Sequence, residues 1–125
     1  MVKHNNKRIL IVDDEPLILK AYQEHLIGEG YDVSVAQDGQ EGLKKAQDYK
    51  PDLILLDILM PKLNGIEVLQ QLHADKELAK IPVIVLTNLV GGDSVNEAVK
   101  TGSLHYLIKS DHSLKEISSK IKNAI

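Results

Sequence analysis

The sequence predicts a doubly wound α/β domain built on five parallel strands, and three observations carry that prediction. Apolar runs of strand length alternate with helix-length amphipathic segments along the 125 residues. Three runs, Ile9-Leu-Ile-Val12, Leu53-Ile-Leu-Leu56 and Val83-Ile-Val-Leu86, are continuously apolar, as expected of parallel strands covered by helices on both faces. Polar residues suited to chemistry (Asp13, Asp14, Asp57, Thr87 and Lys109) end or directly follow these runs and the run Leu104–Ile108. In an open parallel sheet the carboxyl ends of the strands converge on one crevice, where ligands bind.

The elements follow in order. A first strand over Arg8–Asp13 leads into a helix whose first turn holds Pro16 after the acidic Asp13-Asp14-Glu15, both favourable at a helix start. On that helix Ile18, Ala21, Tyr22, His25 and Leu26 are spaced as a core stripe. Leu17 lies about 100° from Ile18 and outside the stripe. Gly28 and Gly30 stand where the helix should stop. Strands are then expected over Tyr31–Ala36, Leu53–Asp57, Val83–Thr87 and Leu104–Ile108. The intervening helices open on a polar residue with Glu three places on: Asp38/Glu41, Asn64/Glu67, Ser94/Glu97 and Ser113/Glu116. Gly102 marks another stop. The last helix shows Leu114, Ile117, Ile121 and Ala124 as a sheet-packing stripe. This is (βα)5. Right-handed crossovers leave few ways to wind it, among them the order 2-1-3-4-5 with its switch point between strands 1 and 3, the strands that carry Asp13, Asp14 and Asp57.

Composition narrows the function. The expected unit is one domain over 1–125 with its core at about 7–124, a length sufficient for a real core. Hydrophobic residues make up 43% and charged residues 26%, ordinary for a globular protein. With four Tyr and neither Phe nor Trp, Leu, Ile and Val must fill the interior. A net charge of −3 gives no basic footprint for nucleic acid and no polybasic membrane patch. The absence of Cys excludes thiol catalysis and Cys-ligated zinc. The basic start, Met1 to Arg8, is followed by too short an apolar run for a signal peptide, so a cytoplasmic protein is expected.

Three carboxylates, a hydroxyl and an ammonium at one rim suit a divalent cation and a phosphoryl group. Carboxylate oxygens match Mg²⁺, and a carboxylate can attack phosphorus to give an aspartyl phosphate. The metal and Lys109 would neutralise the developing charge, and Thr87 would donate to a phosphoryl oxygen.

The chain resembles the receiver domain of bacterial two-component response regulators over essentially its whole length. The matching residues are Ile11-Val-Asp-Asp-Glu-Pro16, Leu55-Leu-Asp-Ile-Leu-Met-Pro61 with Gly65, Leu86-Thr87 and Tyr106-Leu-Ile-Lys109. The resemblance implies a flavodoxin-like fold of order 2-1-3-4-5. It also implies that Asp57 takes a phosphoryl group from a sensor histidine kinase or a histidine phosphotransfer protein. Asp14 would ligate Mg²⁺ directly and Asp13 largely through water, with Asp57 and the Leu59 carbonyl completing the protein ligands. Lys109 would bridge to the phosphoryl oxygens. Thr87 would move toward the phosphate as Tyr106 turns inward, reshaping the face of the fourth and fifth helices and the fifth strand.

The expected activity is a phosphoacceptor switch that catalyses its own phosphorylation and dephosphorylation, not a turnover enzyme. It would signal to a downstream protein, with no direct nucleic-acid or membrane partner, as a monomer or a phosphorylation-dependent dimer. The expectation is a stand-alone receiver, with the excised receiver of a longer regulator as the alternative. A metal-dependent phosphohydrolase is the rival enzyme reading, but Leu59 stands where such enzymes carry a second acid. A flavin module is the weaker rival, since no Ser/Thr/Gly phosphate loop follows strand 1.

Several positions depart from the family. Ser110 follows Lys109 where the family usually has a cis-Pro, and a trans bond is expected, because a non-proline cis bond costs ~2.5–4 kcal/mol. Asn88 replaces a small residue. Leu59 and Leu89 are bulky and apolar at positions that in this family influence phosphoryl lifetime, which predicts slow self-dephosphorylation. Leu17 near the crevice, and the loop Leu89-Val-Gly-Gly-Asp93, are candidate partner surfaces. The five His (His4, His25, His73, His105 and His112) share no metal-ligand spacing.

Overall fold

The computed structural model describes residues 7–57, 65–87, 105–108 and 114–125. β1 (Arg8–Val12) leads to α1 (Pro16–Gly28), β2 (Asp32–Ala36), α2 (Gly39–Tyr49), β3 (Leu53–Leu56) and α3 (Gly65–Ala74). A 3₁₀ turn (Leu78–Lys80), β4 (Val83–Thr87), β5 (His105–Ile108) and a C-terminal helix (Leu114–Ala124) follow. The strands form one parallel sheet in the order β2-β1-β3-β4-β5. This is the predicted winding, with the switch point between β1 and β3.

Successive strand side chains point to opposite faces, and both faces are covered. Leu10, Val12, Ile54, Leu56, Val83 and Val85 pack with Val68, Leu69 and Leu72 of α3 and Ala46 of α2. The alternate set, Ile9, Ile11, Leu53, Leu55 and Ile84, packs with Leu19, Tyr22 and Leu26 of α1 and with Ile117 and Ile121 of the C-terminal helix. The unbroken apolar runs of the sequence are therefore strands with two dry faces.

The helix termini obey local chemistry. The Glu41 amide donates to Asp38 Oδ1 at 2.8 Å, the predicted cap of α2. Glu41's own carboxylate instead pairs with Lys45 at 3.2 Å. At the end of α1, Gly30 takes φ 97°. The Tyr31 amide donates to Leu26 O, and the Gly30 amide to Ile27 O. That is a Schellman close, which favours glycine at the left-handed position. The predicted caps Asn64, Ser94 and Ser113, and the stop at Gly102, lie outside the described residues.

The stripe expected on α1 needs correction. Leu19, Tyr22 and Leu26 are buried and Ile18 is partly buried against them, whereas Ala21 is exposed and His25 only half-buried. Leu19 and Ala21 lie about 200° apart on a helix, so only one can face the sheet. Burying Leu removes more apolar surface from water than burying Ala. The last helix keeps its predicted stripe: Ile117 and Ile121 are buried, with Leu114 and Ala124 packed beside them.

The amino-terminal edge of the sheet is tied by Arg8. Its amide donates to Asp52 Oδ2 at 2.8 Å and its guanidinium to Tyr49 O at 2.9 Å, and it lies 5.7 Å from the Tyr49 ring centre. The Tyr49 hydroxyl is buried without a well-aligned hydrogen bond. Burial first, and the neighbouring Asp32 carboxylate second, push its ionisation well above the ordinary phenol range, while Arg8 opposes them. Tyr31 is raised too, by burial and then by Glu29. A phenol held neutral in the fold stabilises it fully below the unfolded pKa of about 10, and that contribution is lost as pH rises above it. Tyr49→Phe should therefore lose less stability above pH ~10 than wild type, read by urea titrations at alkaline pH; identical slopes would contradict this.

Gly42 of α2 packs directly on β1: a Cβ there would lie 3.0 Å from both γ-carbons of Val12, whereas one at Gly28 would meet nothing within 4 Å. Overpacking costs about 1–3 kcal/mol, more than the ~1 kcal/mol of helix propensity gained. Gly42→Ala should thus destabilise the fold by about 1 kcal/mol, and Gly28→Ala should stabilise it by about 0.5–1 kcal/mol. Urea midpoints that move together would refute the packing argument.

Candidate functional site

The site is built where β1 and β3 end side by side. The Asp13 amide extends the ladder to Ala36 O at 3.0 Å, and the Asp57 amide donates to Val12 O at 2.9 Å. These two bonds hold the residues next to each other although 44 positions separate them in the chain. Both side chains are buried, Asp13 at 2% and Asp57 at 5% exposure. Asp13 Oδ1 accepts the Glu15 amide at 3.0 Å, an Asx-type turn that stops the strand and starts the helix. The Glu15 carbonyl then accepts the Leu19 amide at 3.0 Å, the first bond of α1.

Asp14 and Glu15 are exposed at the rim. One carboxylate oxygen from each of Asp13, Asp14, Glu15 and Asp57 lies within 4.8 Å of the other three. Asp13, Asp14 and Asp57 thus come together as predicted, and the structure adds Glu15. The sequence signal for Glu15 was its place in the run Asp13-Asp14-Glu15, read only as a helix-start acid.

Thr87 ends β4 at the same rim. In the sheet register Leu56, just before Asp57, faces Val85, and Thr87 faces Ile108. Tyr106 lies opposite Val85 in β5. Backbone register therefore places Thr87, Tyr106 and the strand leading to Lys109 on the neighbouring strands. Lys109, Leu59, Asn88, Leu89, the loop to Asp93 and Ser110, with the Lys109–Ser110 bond, lie outside the described residues. So do His4 and His112. Among the described residues, His25 Nε2 sits 2.8 Å from Glu29 Oε1 on α1, and His73 is exposed on α3. Neither joins the carboxylates.

Four carboxylates this close repel one another, and two of them have been taken out of water. Gathered negative charge of this kind is offset by a cation, which is its natural complement. The donor set is all oxygen, with no His or Cys among it. Such a set fits a hard divalent cation, Mg²⁺ in particular, and not a soft metal. A cleft of about 310 Å³ lies away from this cluster, lined by Gln47, Lys50, Pro51, Asp75, Leu78 and neighbours.

Comparisons with known proteins converge. The family model for the response regulator receiver domain matches residues 9–122. The alkaline phosphatase synthesis transcriptional regulatory protein PhoP of Bacillus subtilis is 42% identical over 117 residues, covering 94% of this chain and 48% of that protein. The DNA-binding dual master transcriptional regulator RpaA of Synechocystis is 41% identical over 102 residues, covering 82% of this chain and 42% of that protein. The chain thus spans about half the length of these curated relatives. Among solved structures, a CheY-like response regulator receiver domain protein from Methanospirillum hungatei superposes with TM-score 0.88 at 31% identity, covering 95% of this chain and 93% of that one. The chemotaxis protein CheY4 of Vibrio cholerae does so with TM-score 0.88 at 26% identity, covering 96% and 99%.

The carboxylate geometry has a direct thermodynamic consequence. In chelator, Asp57→Asn removes one of two buried charges from the cluster, and should stabilise the fold by about 1–2 kcal/mol. Asp13→Ala should stabilise less, because the Glu15 amide then loses its acceptor, worth about 1 kcal/mol. Urea denaturation in EDTA reads both; a destabilised Asp57→Asn would contradict the electrostatic account.

Proposed function

The chain belongs to the response regulator receiver domain family, and from that premise we propose that it is the phosphoacceptor switch of a two-component phosphorelay, with Asp57 as the acceptor. The observation that carries this reading is the oxygen cluster that brings Asp57, itself buried, together with Asp13 and Asp14. Asp57 Oδ attacks the phosphorus of a phosphohistidine on a kinase or phosphotransfer protein. The P–N bond breaks, its electron pair goes to the imidazole nitrogen, and an acyl phosphate forms on Asp57. The ladder bond from the Asp57 amide to Val12 O fixes the attacking residue on rigid scaffold, which reduces the entropy lost on reaching the reactive geometry.

Asp14 would hold Mg²⁺ directly and Asp13 mainly through its hydration, with Asp57 and the Leu59 carbonyl as the other protein ligands the family resemblance implies. The ion, when bound, offsets the negative charge that gathers on the phosphoryl oxygens. Lys109 supplies a second positive charge to those oxygens. Phosphorylation adds about −1.5 to −2 charges and new acceptor oxygens. Thr87 then gains a hydrogen-bond partner it has only in that state, and Tyr106 follows. That difference is what biases a two-state element, here the face of β5 and the C-terminal helix. The product is the protein's own modified state, so the chain is a switch and not a turnover enzyme. Its partners are a phosphodonor protein and a downstream protein, met in the cytoplasm. No helix among the described residues is long and apolar enough to cross a membrane.

Intact mass after incubation with acetyl phosphate tests this. Wild type should gain one phosphoryl group only when Mg²⁺ is present, and Asp57→Asn none. An adduct that persists in Asp57→Asn, or sustained hydrolysis of phosphomonoesters, would overturn the reading. With apolar Leu59 and Leu89 offering no group to align water, the adduct should be long-lived. Leu59→Asn should shorten its lifetime severalfold in a mass time course, and an unchanged lifetime would remove Leu59 from the account.

A further inference from the structure

We propose that Lys45 guards the outer side of β2 against pairing with a second copy of this chain, by occupying the carbonyl that such pairing needs. The proposal concerns the lateral border of the sheet and stands independently of the acidic site.

β2 stands at one end of the sheet order, paired with β1. The Asp32 amide donates to Lys7 O, and Ala36 O accepts the Asp13 amide. Asp32, Ser34 and Ala36 therefore turn their backbone groups toward β1. The alternate residues, Val33 and Val35, turn theirs away from it. A strand that presents N–H and C=O groups in this way is a template for another strand. Val33, Ser34 and Val35 are only half-buried, so this border is within reach of another chain.

Lys45 reaches over the border from α2. Its ammonium donates to Val35 O and pairs with Glu41 Oε1 at 3.2 Å one turn earlier, which holds it in place over the strand. A two-fold pairing centred on Ser34 would set Val33 of each copy opposite Val35 of the other, the two residues exchanging N–H···O bonds as antiparallel strands do. The outward groups of Val33 and Val35 are complementary to themselves under that axis, so a second copy is the occupant this border fits. In each copy one of the new bonds would end on Val35 O, which Lys45 already occupies. The two Lys45 ammoniums would also meet at one seam, where like charges repel.

The test is sedimentation velocity of wild type, Lys45→Met, Lys45→Ala and Lys45→Arg over a range of concentrations, with amide hydrogen exchange at Val33 and Val35. Met and Ala are good helix formers without a side-chain donor, and the half-exposed position lets both variants fold. Both should self-associate about tenfold more tightly than wild type, the factor for one hydrogen bond regained. Exchange at the Val33 and Val35 amides should slow in both as concentration rises. Lys45→Arg keeps a charged donor and should behave as wild type. Adding Val33→Pro to Lys45→Met should abolish the association, because proline removes an outward N–H and leaves the ladder to β1 whole. Neutral variants that associate no more than wild type would overturn the proposal, as would a Lys45→Arg that associates like Lys45→Met. Association that leaves the two amides unprotected, or that survives Val33→Pro, would overturn it too, by placing the contact elsewhere on the chain.

Discussion

The hydrogen bond from the Asp57 amide to Val12 O is the constraint on which the rest of the structure depends. It is one rung beyond the parallel pairing of β1 with β3, and it sets Asp57 beside the residue that precedes Asp13. A one-residue slip in this register would turn both apolar strands inside out. The register is therefore enforced by the core on both faces, and the core in turn enforces the meeting of two acids. Burying a carboxylate costs several kcal/mol even after relaxation. The sheet buries two, Asp13 and Asp57, so a chain under no demand but stability would not place them here. The strain sits where function is expected, and a cation or a phosphoryl group with its counter-charges gives it a purpose.

The surrounding elements serve that placement. Val12 ends β1 beside Asp13 and also takes the close approach of α2 at Gly42, so the strand that positions the site cannot shift without disturbing the helix above it. α1 grows out of the site itself, because the Asp13 turn and the Glu15 carbonyl are its first fastenings. At its far end Glu29 lies against His25 and accepts a hydrogen bond from the buried Ser118 hydroxyl of the C-terminal helix. One rigid helix therefore runs from the acidic cluster to the C-terminal helix. The opposite edge of the sheet is closed by Arg8, Tyr49 and Asp52, far from the chemistry.

Much of this was legible in the sequence. Unbroken runs such as Ile9–Val12 and Leu53–Leu56 announce strands with two covered faces, and their carboxyl ends point to the site. Asp13, Asp14 and Asp57 could therefore be brought together by topology alone. What escaped has particular physical causes. Ile18, Ala21 and His25 shared a plausible helical face, but spacing does not weigh the apolar area of Leu19 against that of Ala21. Lys50 takes a left-handed conformation at the end of α2, a role that sequence assigns first to Gly or Asn. The tie between Ser118 and Glu29 joins residues 89 positions apart, and no local pattern encodes such a contact. Glu15 had an adequate local explanation at a helix start, and only the assembled rim puts its carboxylate among the other three.

The measurement that tests the central claim most directly is a backbone-amide NMR titration of the unmodified protein with MgCl₂. If the ends of β1 and β3 form one cation site, shifts will concentrate at Val12 to Glu15 and at Leu56 and Asp57. Lys7, Arg8, Asp32 and Asp52 at the opposite edge will stay in place. Saturating Mg²⁺ that moves none of the amides at those two strand ends, or that shifts both edges equally, would contradict the account.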